Sequence, residues 1–191
     1  MAVGRPRKVE TCDAVQSAIA AFWRTGYKAT SLSDLETATG LTKGSLYKAF
    51  EDKHDLFVQA LQMYIENAQG LIFEILERPG TALDQLSGWA ELAVSNCTNG
   101  GCLAIKTSDE LATEDPQVKQ ILIDYWRSVE QKLASVVERG QTEGAIRTDL
   151  PKESIVALLI RVAMGTAVAA PLTTSERNTY AFRTALELIK A

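Results

Sequence analysis

Histidine is almost absent from this chain of 191 residues: His54 is its only imidazole. A Ser-His-Asp relay would have to use that one ring, and zinc sites of the usual ligand spacing need more histidine and cysteine than are present. Cysteine is scarce and odd in number, Cys12, Cys97 and Cys102, so no disulfide framework is needed to hold a chain of this size together. Catalytic chemistry, a metal and a cofactor are therefore not expected. Long apolar runs are missing as well. The longest, Ile155 to Ala170, has 16 residues and is interrupted by Arg161, short of the roughly 20 needed to cross a bilayer. No membrane partner is expected. Arg5, Arg7 and Lys8 are followed by no apolar stretch that would make a secretory leader, so a cytoplasmic location is expected. An excess of positive charge is lacking too, with 20 Lys plus Arg against 24 Asp plus Glu. Any surface for a polyanion must be local. Disorder is excluded by a composition that is 46% hydrophobic and 23% charged, enough apolar material for a sizeable core.

The charge that is present is unevenly placed. Residues 1–50 hold seven cations and four anions, a net of +3, while residues 51–191 carry 13 cations and 20 anions, a net of −7. A small basic head on a larger acidic body suggests one module that meets a polyanion and another with a different task. Two domains are expected on this ground, 1–50 and 51–191.

Apolar residues recur at helical spacing along the whole chain and no alternating run appears, so the fold class is all-α, with about nine helices. Val15, Ala18, Ile19 and Phe22 form the stripe of a first helix, about Val9 to Thr25, which Gly26 stops. Ser31 with Asp34 reads as a capping box for a second helix ending at Thr39, and Thr42 caps a third, Lys43 to Phe50. Asp52 opens a long fourth helix to Glu77, ended by Pro79 and Gly80. Thr81 with Asp84 begins a fifth to Ser95, and a turn-rich stretch separates it from a short sixth, Cys102 to Ala112. Asp115 followed by Pro116 starts a seventh reaching Glu143. Pro151 opens an eighth through Ala170, and Thr173 with Glu176 caps a ninth.

Thr30 to Phe50 is the most informative segment. Two short helices joined by a turn containing Gly40 and Leu41 have helix-turn-helix spacing. Leu32, Leu35, Ala38, Leu41, Leu46 and Phe50 suit an inner face. Lys43 and Tyr47 form one i, i+4 pair and Gly44 and Lys48 another, with Thr42 and Ser45 beside them. The lysines can neutralise phosphates or reach guanine edges, the tyrosine can hydrogen-bond a phosphate, and Gly44 permits close backbone approach. Thr30, Ser31 and Lys53 lie at helix starts, where free amides favour phosphate oxygens. Arg5 and Arg7, on a flexible arm, suit a neighbouring minor groove. The competing reading is an ordinary solvated face on capped helices.

Gly26 and Tyr27, Thr30 to Leu32, the run Thr39 to Tyr47, Phe50 and Lys53 together closely resemble the N-terminal domain of tetracycline-repressor-type transcriptional regulators. The resemblance implies a regulator, usually a repressor, that binds double-stranded DNA as a homodimer. Its two third helices would enter successive major grooves of a palindromic operator. It also implies a dimer interface from the last two helices, about 151–170 and 173–190, and a pocket for a small-molecule effector in the C-terminal body. The string Gly101 to Ile105 is similar to a C-terminal subclass in which some members sense electrophiles through a cysteine. This makes Cys102 a candidate sensor, with Cys97 as resolving partner and Lys106 one turn along. A helix start would favour the Cys102 thiolate. A small buried apolar residue is the plainer reading of Cys102.

Ala157, Ala163, Gly165, Ala167 and Ala169 would let a second helix approach the eighth closely, joined by a Phe182, Leu186 and Ile189 stripe on the ninth. Trp89, Tyr125, Trp126 and Met164 are candidate lining for an apolar ligand pocket, with core packing as the alternative. His54, among charged neighbours, reads as a solvated or phosphate-near surface ring, not a catalytic one. Two rival functions stay open at this point: a thiol-dependent redox protein using Cys97 and Cys102, and an all-helical ligand-binding protein that never meets DNA.

Overall fold

Local caps set the helix boundaries in the computed structural model, which describes residues 7–98 and 101–191 and, within these, the side chains of all but residues 7–10, 97 and 98. Nine α-helices are present among the described residues: α1 Arg7–Thr25, α2 Leu32–Thr39, α3 Lys43–Ala49, α4 Lys53–Glu77, α5 Ala82–Thr98, α6 Leu103–Leu111, α7 Pro116–Thr142, α8 Lys152–Ala169 and α9 Ser175–Ile189. Ser31 and Asp34 make the expected reciprocal capping box at α2. Asp115 accepts from the Gln117 and Val118 amides, with Pro116 behind it. Gly40 ends α2 at φ 68°, a left-handed conformation that residues with a Cβ resist.

The structure moves the expected end of α5 and the expected cap of α9. Helix α5 continues to Thr98, past the expected end at Ser95. The cap of α9 is Thr174, whose hydroxyl accepts from the Arg177 amide, because a short 3-10 turn, Ala170–Leu172, follows α8 and takes up the residues before it. Ile146 pairs with Lys190 in one isolated antiparallel bridge, which ties the chain end to the turn after α7.

Apolar stripes from α1, α2, α3 and the first turns of α4 meet around Phe22, Leu35, Leu46, Leu56 and Phe57, all buried. Phe57 stands edge-on to Phe22, with ring centroids 5.0 Å apart. Helices α5, α7, α8 and α9 pack as a bundle on the remainder of α4. Its core includes Leu86, Leu133, Leu159 and Ile160, all buried.

Helix α8 and its following turn, Lys152–Leu172, form a longer segment than the 155–170 run, one that length and composition alone would allow to cross a membrane. Its inner residues, Ile155, Val156, Leu159, Ile160 and Thr166, are instead buried in the bundle. Leu158, Val168 and Leu172 face outward, Val168 at 65% and Leu172 at 88% exposure. On α9 the outward apolar residues are Tyr180 and Leu188. Phe182 and Ile189, expected at an interface between subunits, are buried within the protomer, and Phe182 packs edge-on against Trp89 at 5.7 Å.

Candidate functional site

The turn between α2 and α3 is fixed by its own polar groups. The Thr39 hydroxyl donates to the Leu35 carbonyl and accepts from the Leu41 amide. Glu36 reaches forward to accept the Lys43 amide at 2.5 Å, and Thr42 accepts the Ser45 amide. With Leu46 buried beside Leu35 of α2 and Leu56 of α4, the opposite side of α3 presents Thr42, Lys43, Gly44, Tyr47 and Lys48 as exposed residues. Nothing lies within 4 Å of the position a Cβ would take at Gly44, so the backbone there is open to a duplex.

Not every residue expected on this face is on it. Thr30 is buried, its hydroxyl 2.5 Å from the Gly26 carbonyl and 2.7 Å from the Thr25 hydroxyl, so it braces the α1–α2 turn instead of meeting phosphate. Ser31 is exposed, but its amide and hydroxyl both donate to Asp34. Those hydrogen bonds hold the Asp34 carboxyl below its ordinary range. Ser45 is half-buried, with its hydroxyl 3.1 Å from that of Thr42. The amides of Ser31, Lys43 and Ser45 at the starts of α2 and α3 are thus taken by side chains, while the side chains of Lys43, Tyr47 and Lys48 are exposed on the α3 face. Lys53 stretches over the Tyr27 ring, 4.5 Å from its centroid. Burial there lowers its pKa, against the opposing attraction of Glu110 and Asp34. Arg5 lies outside the described residues, as does the side chain of Arg7.

Behind this face, α6 is locked to the α1–α2 turn by Lys106, expected beside Cys102, and by Glu110 and Glu114, to which the sequence pattern assigns no role. Glu110 accepts the Tyr27 amide at 2.8 Å and the Lys28 amide at 2.6 Å. Lys106 donates to the carbonyls of Trp23 and Arg24, in the last turn of α1. It therefore caps α1 and is not turned toward Cys102. Glu114 pairs with Lys28 at 2.9 Å. Gly26 sits at φ 84°, where a Cβ would lie 2.7 Å from Glu110 Oε2. A second tie joins the starts of two long helices: His54 Nε2, at the beginning of α4, donates to Asp115 Oδ2, the cap of α7, at 2.5 Å. His54 is thus half-buried and paired, not solvated. Burial pushes the Asp115 carboxyl up, but the Val118 amide, the His54 ring and the Gln117 amide outweigh it and hold the pKa below its usual value. The row Lys106, Glu110, Glu114 was visible as i, i+4 spacing, yet its partners lie more than 80 residues away in sequence.

The other end of α6 meets a cavity enclosed by α4, α5, α6, α7 and α8, with about 60 Å³ of free volume. Trp89, Tyr125 and Trp126 line it, together with Gly101, Cys102 and Ile105. Met164 does not line it; its sulfur accepts from Arg161. Cys102 occupies the cap position of α6 and is half-buried. Its sulfur is 3.5 Å from the Tyr64 hydroxyl, which in turn accepts the Leu103 amide. Burial first, and the Cys102 sulfur second, raise the pKa of both Tyr64 and Tyr125, so both phenols stay protonated. The Trp23 indole donates to the carbonyl of Gly101, a residue of the cavity wall. The side chain of Cys97 lies outside the described residues.

Comparison with known proteins agrees with this arrangement. Residues 15–60 match the family model described as bacterial regulatory proteins, tetR family, and residues 82–186 match that of the tetracyclin repressor-like C-terminal domain. The HTH-type transcriptional repressor BdcR of Escherichia coli is 28% identical over 145 residues, covering 74% of this chain and 73% of that protein. A TetR transcriptional regulator from Chloroflexus aurantiacus superimposes with a TM-score of 0.88 at 22% identity, covering 98% of this chain and 99% of that one. The regulator CifR, solved as a cysteine mutant with a 26-bp double-strand operator, gives a TM-score of 0.79 at 25% identity, over 97% of this chain and 98% of that one. With a helix-turn-helix in its N-terminal match and a C-terminal match that spans more than half of its length, the chain belongs to the tetracycline-repressor family and is a DNA-binding transcriptional regulator.

Proposed function

We propose that this regulator binds a two-half-site operator as a homodimer and releases it when a small effector occupies the cavity at the start of α6. In this reading residues 1–50 are the DNA-binding domain and residues 51–191 the effector-binding and dimerisation domain. The observation that carries it is α6 itself. One end of this nine-residue helix forms cavity wall at Cys102 and Ile105, and the other holds the Tyr27 and Lys28 amides through Glu110. A ligand that pushes α6 outward moves the α1–α2 turn with it, because the two are joined by charge-assisted hydrogen bonds. An effector that favours the displaced state shifts the population toward it. Half-sites lie about 34–36 Å apart on a duplex, so a small change in the separation of two α3 helices weakens binding.

The outward row Leu158 and Val168 of α8 and Leu172 of the turn after it, with Tyr180 and Leu188 of α9, supplies the apolar face through which two copies pair. Such a face is what a four-helix interface buries, and it accounts for the low share, 28%, of the apolar α8 window that is buried within one protomer. The test is selection of tightly bound duplexes from a random pool, then anisotropy titrations of the selected duplex across salt. A palindromic consensus with half-sites one helical turn apart is expected. No enrichment over weak salt-sensitive background overturns the reading, and so does a selected duplex bound equally well by a Val168→Glu, Leu188→Glu variant that sediments as a monomer.

The position of Cys102 favours a covalent route to the same state. Its sulfur borders the cavity and accepts from Tyr64, so alkylation there fills the space a reversible effector would take. Iodoacetamide is expected to lower operator affinity of the parent but not of Cys102→Ser; equal loss in both excludes this route.

A further inference from the structure

Among the described residues, one buried side-chain polar atom has no hydrogen-bond partner: the indole Nε1 of Trp126. Folded proteins rarely leave such a donor unpaired, and where they do the position calls for an explanation. Trp126 belongs to the cavity wall, and its Nε1 is covered by neighbouring atoms, so an acceptor reaches it when a ligand parts that lining. By contrast the Trp23 indole, at the edge of the same region, is paired with the Gly101 carbonyl at 3.1 Å.

The rest of the wall narrows what the missing partner is. No Asp, Glu, Lys or Arg is among the residues that line the cavity, and Trp89, Leu92, Ile105 and Val129 make most of it apolar. The cation of α6, Lys106, is committed to the carbonyls of Trp23 and Arg24. An anion would therefore enter without a countercharge and a cation without a carboxylate, each at the full cost of desolvation. A pure hydrocarbon would fill the space but leave the indole N–H unpaired, as it is now.

We infer that the effector is a small uncharged molecule, largely apolar, that presents a hydrogen-bond-accepting oxygen such as a ketone carbonyl to Trp126 Nε1. This rests on the reading of the cavity as the effector site and adds the chemistry by which that site selects. Trp126 then discriminates among apolar molecules of one shape by their oxygen, because a site built around a buried donor rejects the analogue that cannot satisfy it.

The test uses the full-length protein labelled with ¹⁵N-tryptophan, whose three indole resonances are assigned with Trp126→Phe. Three probes of similar shape are titrated: cyclohexanone, methylenecyclohexane and cyclohexanecarboxylate. Cyclohexanone is expected to move the Trp126 indole resonance downfield with saturation and to bind about tenfold or more tighter than methylenecyclohexane. The carboxylate is expected not to bind, and Trp126→Phe to bring the ketone-to-hydrocarbon ratio close to one. If that variant fails to fold, Trp23→Phe and Trp89→Phe assign the Trp126 resonance by elimination, and the titrations of the parent decide. Equal affinity for ketone and hydrocarbon, preference for the carboxylate, or ketone binding that leaves the Trp126 resonance unmoved overturns the inference. So does the absence of any probe-dependent shift. Operator binding by the ligand-free protein, measured on the same sample, shows separately whether the regulatory reading survives.

Discussion

Replacing Glu110 by Ala removes the acceptor that joins α6 to the DNA-reading head. Two backbone amides lose their partner, Tyr27 N at 2.8 Å and Lys28 N at 2.6 Å. Hydrogen bonds to a charged group are worth about 1.5–3 kcal/mol each. The exposed Lys28 amide recovers most of its loss from water, whereas the half-buried Tyr27 amide recovers less, so the net cost is about 2–3 kcal/mol. For a chain of this size that lowers Tm by about 5–10 °C. The internal control is Glu114→Ala, which removes an ion pair whose side chains are 51% and 62% exposed; its effect on Tm should be small, since exposed pairs contribute about 0–1 kcal/mol. Calorimetry compares the two variants, and hydrogen exchange locates the change. In Glu110→Ala the Tyr27 and Lys28 amides should exchange roughly 30-fold faster or more, while amides at the centre of α7 change only as global stability does. Equal Tm for the two variants, with unaltered protection at Tyr27 and Lys28, would falsify the coupling assigned to α6.

Three further outcomes follow from the same geometry. Gly26→Ala meets both a left-handed backbone and the Glu110 carboxylate 2.7 Å from the new Cβ, so a loss of about 1–3 kcal/mol in urea unfolding is expected; an unchanged midpoint would refute the turn geometry. Lys43→Ala should weaken operator binding and reduce the slope of log affinity against log salt by about 1.8, as two phosphate contacts disappear from a dimer, and an unchanged slope removes Lys43 from the interface. For Asp115→Asn the sign follows from the depressed pKa of the carboxyl. The stabilisation is present above the unfolded value of about 3.9 and is lost as pH falls through the lower folded value. The parent should therefore exceed the variant in stability at neutral pH and lose that advantage progressively below about pH 4; a gap that persists to acid pH would mean that the carboxylate charge is not its source.

Much of this molecule is written in short-range signals. Ser31 with Asp34, Thr42 before Lys43, and Asp115 before Pro116 announce their helices because a cap acts within one turn of chain. The α3 face is legible for the same reason: once Leu46 and Phe50 are assigned inward, helical spacing sends Lys43, Tyr47 and Lys48 outward together. The aromatic lining of the cavity was partly legible from residue type, since large apolar rings at helical spacing fill the space between helices; the place of Met164 was not, because its sulfur turns back along its own helix to accept from Arg161, one turn earlier.

What the sequence could not decide depends on which distant surfaces meet. Whether Thr30 faces solvent or the Gly26 carbonyl is settled by how α1 and α2 pack, not by its place next to a cap. His54 and Asp115 are 61 residues apart, and no local pattern brings a ring at the start of α4 to the cap of α7. The outward side of α9 is likewise a tertiary matter: Phe182 and Ile189 form an apolar stripe that fits either an interface or a core, and only the seating of α9 on α5 spends it inside, leaving Tyr180 and Leu188 exposed. The amino-acid sequence by itself determined the helices, their caps and the face of α3, because those follow from hydrogen bonds and periodicity within a few residues. The tertiary structure decided which side chains tie α6 to the α1–α2 turn and which donor is left unpaired in the cavity, because those depend on contacts closed across the fold.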